Sequence, residues 1–172
     1  GKELKRNGVL ATFYALLLIL IYVGVRFDFR FASSAVLCLF HDTFVTLGIF
    51  SLLGREINVQ IIAAVLTLIG YSLNDTIINF DRIRENIHVY KGKHLMWIMN
   101  RSINEMLTRT MLTSATTLVC ALSLYFIAGG VIQDIAFTFI VGILLGTYSS
   151  IYVACPLVLV MEKLSWSSSK AK

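Results

Sequence analysis

Runs of about twenty apolar residues, separated by short charged segments, constrain this chain more than any other feature of its sequence. About 20 apolar residues in a helix cross the hydrocarbon core of a membrane. Such runs occur over about 8–25, 32–53, 57–80, 106–128 and 132–161. Backbone groups within lipid have no water to bond, so each span must be helical. We therefore predict an all-α, polytopic membrane helix bundle with five transmembrane helices.

The composition supports a membrane protein and excludes several other classes. The 172 residues are 57% hydrophobic and 15% charged, with a mean hydropathy of +0.78, whereas soluble domains carry about 25% charged residues. The net charge of +5 does not indicate nucleic-acid binding, because the basic residues gather at the ends of apolar runs. Cys38, Cys120 and Cys155 lie within apolar runs and lack metal-ligand spacing, so we expect core residues and no metal.

The distribution of Lys and Arg predicts an orientation. One side of the five-span arrangement would hold ten basic residues: Arg26, Arg30, Arg82, Arg84, Lys91, Lys93, Arg101, Lys163, Lys170 and Lys172. The other side would hold four: Lys2, Lys5, Arg6 and Arg55. The positive-inside rule places the larger set in the cytoplasm, which leaves the N-terminus outside and the C-terminus inside. The basic N-terminal residues fit this orientation better if an already translocated segment precedes them.

The polar segments between and after the spans carry further signals. The connection over about 84–105 is amphipathic and is predicted to be cytoplasmic, with a helical pattern from Leu95 to Met106. It either lies on the membrane surface, with Trp97 as an anchor, or packs against neighbouring helices. We expect a kink at Pro156 near the end of the fifth span. Residues 165–172 are rich in Ser and Lys and are predicted to form a disordered tail.

Ionisable residues inside the apolar runs are the candidate functional residues. Charge within a membrane is costly and usually marks an ion path or a proton relay. Asp75 lies about 10 Å from Arg82 along its helix, and Arg109 lies about 12 Å from Arg101, since a helix rises 1.5 Å per residue. Asp42 is about 15 Å inside its own span. We therefore predict that Asp75, Arg109 and Asp42 occupy one layer of the bundle.

Polar neighbours extend this candidate site. Tyr71 and Asn74 lie beside Asp75 on the third span, and His41 precedes Asp42. Imidazole titrates near neutral pH, so His41 is a candidate relay member, although it could serve only to pair with Asp42. The alternative for Asp75 and Arg109 is a static ion pair that sets the register of two helices.

Small residues predict close helix packing. Gly142, Gly146 and Ser150 recur every four residues on the fifth span, and Gly70 lies on the third. Such a face lets a neighbouring helix approach closely. We interpret these residues as helix-packing positions, which include a candidate contact surface for a partner.

Enzyme chemistry is not expected. An intramembrane aspartyl protease needs two aspartates that share a proton, and Asp42 with Asp75 could formally supply them. Arg109 at the same depth would hold a carboxylate ionised, which opposes proton sharing. The chain also lacks a nucleophile elbow, a His-Glu-x-x-His motif and a phosphate loop. We expect no catalytic residues and no cofactor.

One long motif resembles a known family. The residues that carry the resemblance are Gly70-Tyr-Ser-Leu-Asn-Asp-Thr-Ile-Ile-Asn-Phe-Asp-Arg-Ile-Arg-Glu-Asn86, together with His41-Asp42, 109–117, Gly129-Gly130 and 146–150. They resemble SecF proteins, the second half of the bacterial protein-export factor SecDF. The resemblance covers about 22–162. Asn79 is a departure, because family members often carry an apolar residue there.

The resemblance implies a member of the resistance-nodulation-division superfamily, with the five spans as the last five of a six-helix half. It implies that Asp75 and Arg109 take part in the passage of a coupling ion, a proton or a sodium ion. It also implies partnership with SecD, the SecYEG translocon and a translocating polypeptide, in the bacterial cytoplasmic membrane. The alternatives are a structural scaffold that pairs with SecD and half of a proton-driven efflux transporter.

Overall fold

The described part of this chain forms six α-helices in a computed structural model. The structure describes residues 2–55 and 58–170, without the side chains of 2–5, 8, 9, 11, 12, 16 and 164–170. The helices are α1 (Lys2–Arg26), α2 (Phe29–Leu52), α3 (Val59–Val89), α4 (Leu95–Ile127), α5 (Val131–Tyr152) and α6 (Ala154–Lys170).

The predicted membrane helix bundle is confirmed. Within the described ranges, four helical segments are long and apolar enough to cross a membrane: α2, α3, α4, and the succession of α5 and α6 over Val131–Lys163. The predicted first span falls within α1, whose described apolar stretch, Phe13–Arg26, is shorter than these four. That first span stays a prediction. The predicted start of the third span, residue 57, lies outside the described residues.

Local sequence explains where the helices begin and end. Gly54 and Gly130 have φ values of +61° and +59°, a left-handed conformation that residues with a Cβ adopt reluctantly. Gly54 therefore ends the turn after α2, and Gly130 redirects the chain into α5. Asn58 begins α3, because its side-chain oxygen accepts a hydrogen bond from Ile61 N at 2.9 Å.

The last predicted span is interrupted at Val153, between α5 and α6. Pro156 lies three residues later, and it has no N–H to donate to Tyr152 O, four residues back. The helix thus breaks one turn before the proline. Helix α6 continues through Lys170, so it includes residues 165–170 of the segment predicted to be a disordered tail. No glycine or proline interrupts the sequence between Leu157 and Lys170.

The connection predicted over 84–105 is divided between the end of α3, a turn at 90–94 and the beginning of α4, which runs without interruption from Leu95. Ile98, Met99 and Ser102 are buried, and Ser102 accepts a hydrogen bond from Asn86 of α3 at 2.9 Å. Of the two sequence interpretations, the structure therefore shows packing on a neighbouring helix.

Helix α3 lies at the centre of the bundle and packs against α1, α2, α4 and α5. Phe80 is fully buried between the rings of Phe27 and Phe31. Of the four candidate spans, α4 is the least covered: only 17% of its most apolar stretch is buried, against 50% for α3. One long face of α4 is thus open to whatever surrounds the chain.

Charged residues gather at the two ends of the bundle. The C-termini of α1, α3 and α6 meet the N-termini of α2 and α4 at one end, which we call the basic end. There Arg26 pairs with Asp81 at 3.0 Å and Arg30 with Glu162 at 3.7 Å. At the opposite end, Arg55 pairs with Asp134.

Candidate functional site

Asp75 is a buried carboxyl group in the middle of the central helix. Its residue is only 3% exposed, and its Oδ2 atom has no hydrogen-bond partner among the described residues. One turn further along α3, the Asn79 Nδ2 atom is also buried without a partner. Buried polar atoms are nearly always hydrogen-bonded. Two buried polar atoms without partners, one helical turn apart, therefore distinguish this part of α3 as a candidate functional site.

Arg109 and Asp75 do not form an ion pair in this structure. Among the described residues, the contacts within 4.0 Å between basic and acidic groups do not include this pair. Arg109 is nevertheless near enough for its charge to act on the Asp75 carboxyl. Its side chain is exposed on the open face of α4. An exposed charge at this depth would meet lipid unless another protein segment covers it.

Asp42 is the centre of a hydrogen-bonded cluster that joins three helices. Its Oδ2 atom accepts hydrogen bonds from Ser72 Oγ of α3 at 2.6 Å and from Ser149 Oγ of α5 at 2.7 Å. The other oxygen, Oδ1, lies 3.1 Å from Nδ1 of His41, whose side chain is 40% exposed. Asp42 is thus buried and satisfied, in contrast to Asp75. The Asp42 carboxyl lies at the level of Ser72, its hydrogen-bond donor on α3. Ser72 precedes Asp75 by three residues, so the carboxyl groups of Asp42 and Asp75 belong to levels about 4.5 Å apart along α3.

The remaining predicted residues fall in two places. The Tyr71 hydroxyl lies 3.4 Å from Thr117 Oγ1, which connects α3 with α4. Asn74 is exposed beside Asp75. Tyr71, Asn74 and Arg109 therefore belong to the side of the bundle next to α4, whereas His41 and Asp42 belong to the side formed by α2 and α5.

The small residues of α5 face α3 of the same chain. A Cβ atom on Gly142 would lie 2.8 Å from Leu68 Cγ, and one on Gly146 would lie 3.2 Å from Ser72 Cβ. Ser150 is fully buried. Gly70 has nothing within 4 Å of the position of a Cβ, so it makes no such close approach. The face that the sequence offered as a partner surface is therefore occupied internally.

Sequence reasoning missed Ser72, Ser149 and Asn79. Ser72 and Ser149 carry the hydrogen bonds to Asp42, and each lies within three residues of a position that the sequence did single out, Asp75 or Gly146. A buried carboxylate requires donors, so hydroxyl groups on neighbouring spans were the available signal. Asn79 stood out only as a departure from the family pattern.

A polar network ties α3 to α4 at the basic end. The Glu105 carboxylate accepts hydrogen bonds from Asn86 Nδ2 at 3.0 Å and from Arg82 Nε at 2.7 Å. Arg101 Nε lies 3.0 Å from its other oxygen. These donors, the Asn86 amide first and then the Arg82 guanidinium, hold the pKa of Glu105 below its ordinary value.

The lowered pKa predicts an acid-sensitive contact. A carboxyl whose pKa is lower in the folded state stabilises the fold above its unfolded pKa and loses that contribution as the pH falls through the folded pKa. In detergent, the thermal unfolding temperature of the unchanged protein should fall between pH 7 and about pH 3 as Glu105 becomes protonated. We expect this fall to be smaller in Glu105→Gln. Glu85→Gln is the control, because Glu85 bonds only Arg82 and its side chain is 61% exposed. Equal pH profiles for Glu105→Gln and the unchanged protein would contradict the prediction.

The fold and this site define a polytopic membrane protein with ionisable side chains held between its helices. Residues 1–164 match the family model described as "Protein export membrane protein SecD/SecF, C-terminal". The chain belongs to this family.

Similar proteins carry the SecF and SecDF names. The chain is 52% identical over 157 residues to "Protein translocase subunit SecF" of Desulfurispirillum indicum, covering 90% of this chain and 50% of that protein. It is 48% identical over 158 residues to "Protein translocase subunit SecDF" of Thermus thermophilus, covering 92% of this chain and 22% of that protein. The crystal structure of "SecDF, a translocon-associated membrane protein" from the same genus superposes with a TM-score of 0.89 at 46% identity, covering 92% of this chain and 22% of that one. The chain spans about half the length of the SecF relatives it matches.

Proposed function

We propose that this chain is the transmembrane part of an accessory factor for protein export in the bacterial cytoplasmic membrane. It couples the flow of protons through the membrane to the export of polypeptides. In this proposal Asp75 binds and releases the proton, and Arg109 responds to the change in charge. The chain itself catalyses no covalent chemistry and needs no cofactor; sodium is the alternative coupling ion.

The observation that carries the proposal is the unpaired burial of Asp75. A static ion pair would have its oxygens bonded to a partner, because an uncompensated buried charge is strongly unfavourable. Here Asp75 Oδ2 is buried and has no partner in the described part of the chain, and the nearby Arg109 remains exposed. Such a carboxyl group is suited to accept a proton that enters the bundle.

Coupling requires two states that protonation can bias. A guanidinium group is not deprotonated in proteins, so the carboxyl group of Asp75 is the member of the pair that can bind and release a proton. Approach of α4 to α3 would favour the ionised carboxylate, and separation would favour the neutral acid. The available energy is about 2.3 kcal/mol per charge for each 100 mV of membrane potential. Movement of these helices would act on the exported parts of the complete protein.

The open face of α4 supports a partner on that side. It carries Arg109 at membrane depth, where a charge needs a covering protein segment. The T. thermophilus relative named SecDF is a longer chain than the SecF relatives, which is consistent with a SecD half joined to a SecF half. We therefore place the SecD half against α4 and the side of α3 that carries Asn74, not against Gly142 and Gly146, which α3 covers. The complete assembly would work with the SecYEG translocon on a translocating polypeptide.

A structural scaffold for SecD is the second candidate. The Asp42 cluster favours it, since one satisfied carboxylate joins α2, α3 and α5 without any need for titration. Half of an efflux transporter would use the same buried charges, and the match to the SecD/SecF family model disfavours it.

The direct test is export into vesicles that contain the translocon and the complete protein. We expect a proton gradient to stimulate export only when the protein is present, and a protonophore to remove the stimulation. A scaffold would give the same stimulation with and without the gradient.

Accessibility labelling tests the proposed orientation. We expect Lys91→Cys, at the basic end, to react with an impermeant maleimide only from the cytoplasmic side, and Gly130→Cys only from outside. Both probes are placed in the complete protein after removal of Cys38, Cys120 and Cys155. Labelling of both positions from one side would refute the five-span topology.

A further inference from the structure

A groove opens at the basic end, between the turn joining α3 to α4 and helix α6. It consists of two adjoining cavities of about 690 and 300 Å³ that share Gly92, Lys93, Leu95 and Glu162. The larger also has Met96, Leu159 and Lys163 on its walls. None of these residues belongs to the proposed ion-coupling site.

The groove has an excess of positive charge. Among the described residues that line the groove, Glu162 supplies the one carboxylate, and it lies 3.7 Å from Arg30. Lys93 and Lys163 have no carboxylate within 4.0 Å among the described residues. The Lys93 ammonium group lies 5.7 Å from the centre of the Trp97 ring, which holds it at the groove but leaves its charge uncompensated.

An apolar wall runs beside these cations. Leu95, Met96 and Leu159 line the larger cavity, and Met96 is 66% exposed. An apolar wall next to a cationic mouth matches an amphipathic ligand, with an anionic group joined to a hydrocarbon chain. A free anion would bind the lysines without using the apolar wall.

The depth of the groove is that of a lipid headgroup. Arg30 lines the smaller cavity and immediately precedes the apolar run of α2, so it marks the boundary of the hydrocarbon region. Tyr90 and Trp97, aromatic residues typical of the membrane interface, contact each other beside the groove with ring centres 5.4 Å apart. A phosphate placed between Lys93 and Lys163 would therefore lie at the height of the phospholipid headgroups.

We propose that this groove binds an acidic phospholipid. Lys93 and Lys163 hold its phosphate, and one acyl chain lies along Met96 and Leu159. Clustered basic side chains at a membrane surface attract anionic lipids. The site is separate from Asp75 and Arg109, so it does not depend on proton coupling.

Lipid retention by the complete protein tests this site. Native mass spectrometry in mild detergent would compare phosphatidylglycerol with phosphatidylcholine, and inorganic phosphate would be added as a competitor. We expect selective retention of phosphatidylglycerol, weakened about fivefold by Lys93→Gln or by Lys163→Gln. Met96→Gln should also weaken retention. Lys91→Gln is the matched control, because Lys91 is exposed in the same turn and lines neither cavity.

Three results would overturn the proposal. Equal retention of the two lipids would show that the groove does not select an acidic headgroup. An equal loss with Lys91→Gln would show a general effect of surface charge. Full displacement by millimolar phosphate, together with no effect of Met96→Gln, would show that the groove binds a free anion.

Discussion

Replacement of Asp75 by Asn is expected to abolish the stimulation of export by a proton gradient. Asparagine has nearly the same shape but cannot bind or release a proton, so the charge next to Arg109 no longer changes. Basal export should remain, because the hydrogen bonds that join the helices do not use Asp75. A scaffold would tolerate this change.

The measurement compares export into vesicles with and without the gradient, at matched amounts of the complete protein. Asp81→Asn is the control, because Asp81 lies on the same helix but pairs with Arg26 at the exposed basic end. It should retain stimulation. Arg109→Lys should impair it, since an ammonium group lacks the planar donors of a guanidinium. Full stimulation with Asp75→Asn would refute the proton relay and favour the scaffold.

Gly142→Ala is expected to destabilise the bundle by about 1–3 kcal/mol, because overpacking a filled interior forces its neighbours to move. The added methyl group would lie 2.8 Å from Leu68 Cγ and closer still to the two methyl groups of Leu68. Leu68 is buried, so its side chain has little room to turn away. Since α5 packs on α3 through this contact, the loss should lower the thermal unfolding temperature of the complete protein in detergent.

Gly70→Ala provides the matched control. It adds the same methyl group to α3, where nothing lies within 4 Å, and alanine favours a helix over glycine by up to about 1 kcal/mol. The control should be neutral or stabilising. Leu68→Ala should partly rescue Gly142→Ala, and the double-mutant cycle measures their coupling. If Gly142→Ala is as stable as Gly70→Ala, the close packing of α5 on α3 is refuted.

Much of the architecture follows from the sequence because lipid leaves the backbone few choices. A run of about 20 apolar residues must form a helix there. The sequence therefore predicts α2, α3 and α4. It also predicts a kink at Pro156, whereas the helix is interrupted three residues earlier, at Val153. Asp75 and Arg109 are also visible in the sequence, because a charge stands out within an apolar run.

Tertiary structure decided which of these residues meet. The sequence predicts one layer containing Asp75, Arg109 and Asp42. The structure separates a hydrogen-bonded Asp42 from Asp75, whose Oδ2 atom has no partner among the described side chains. It also turns Gly142 inward, onto Leu68, and leaves Arg109 on an open face.

The physical reason is that helical periodicity assigns each residue to a face of its own helix but does not specify which neighbour covers that face. Ser72 and Ser149 are 77 residues apart in the sequence, and both donate to the same oxygen of Asp42. Only the packing of α2, α3 and α5 brings those hydroxyl groups to one carboxylate. The sequence by itself determined the helices and the charges within their apolar runs, and the tertiary structure determined which carboxyl group is hydrogen-bonded and which has no partner among the described residues.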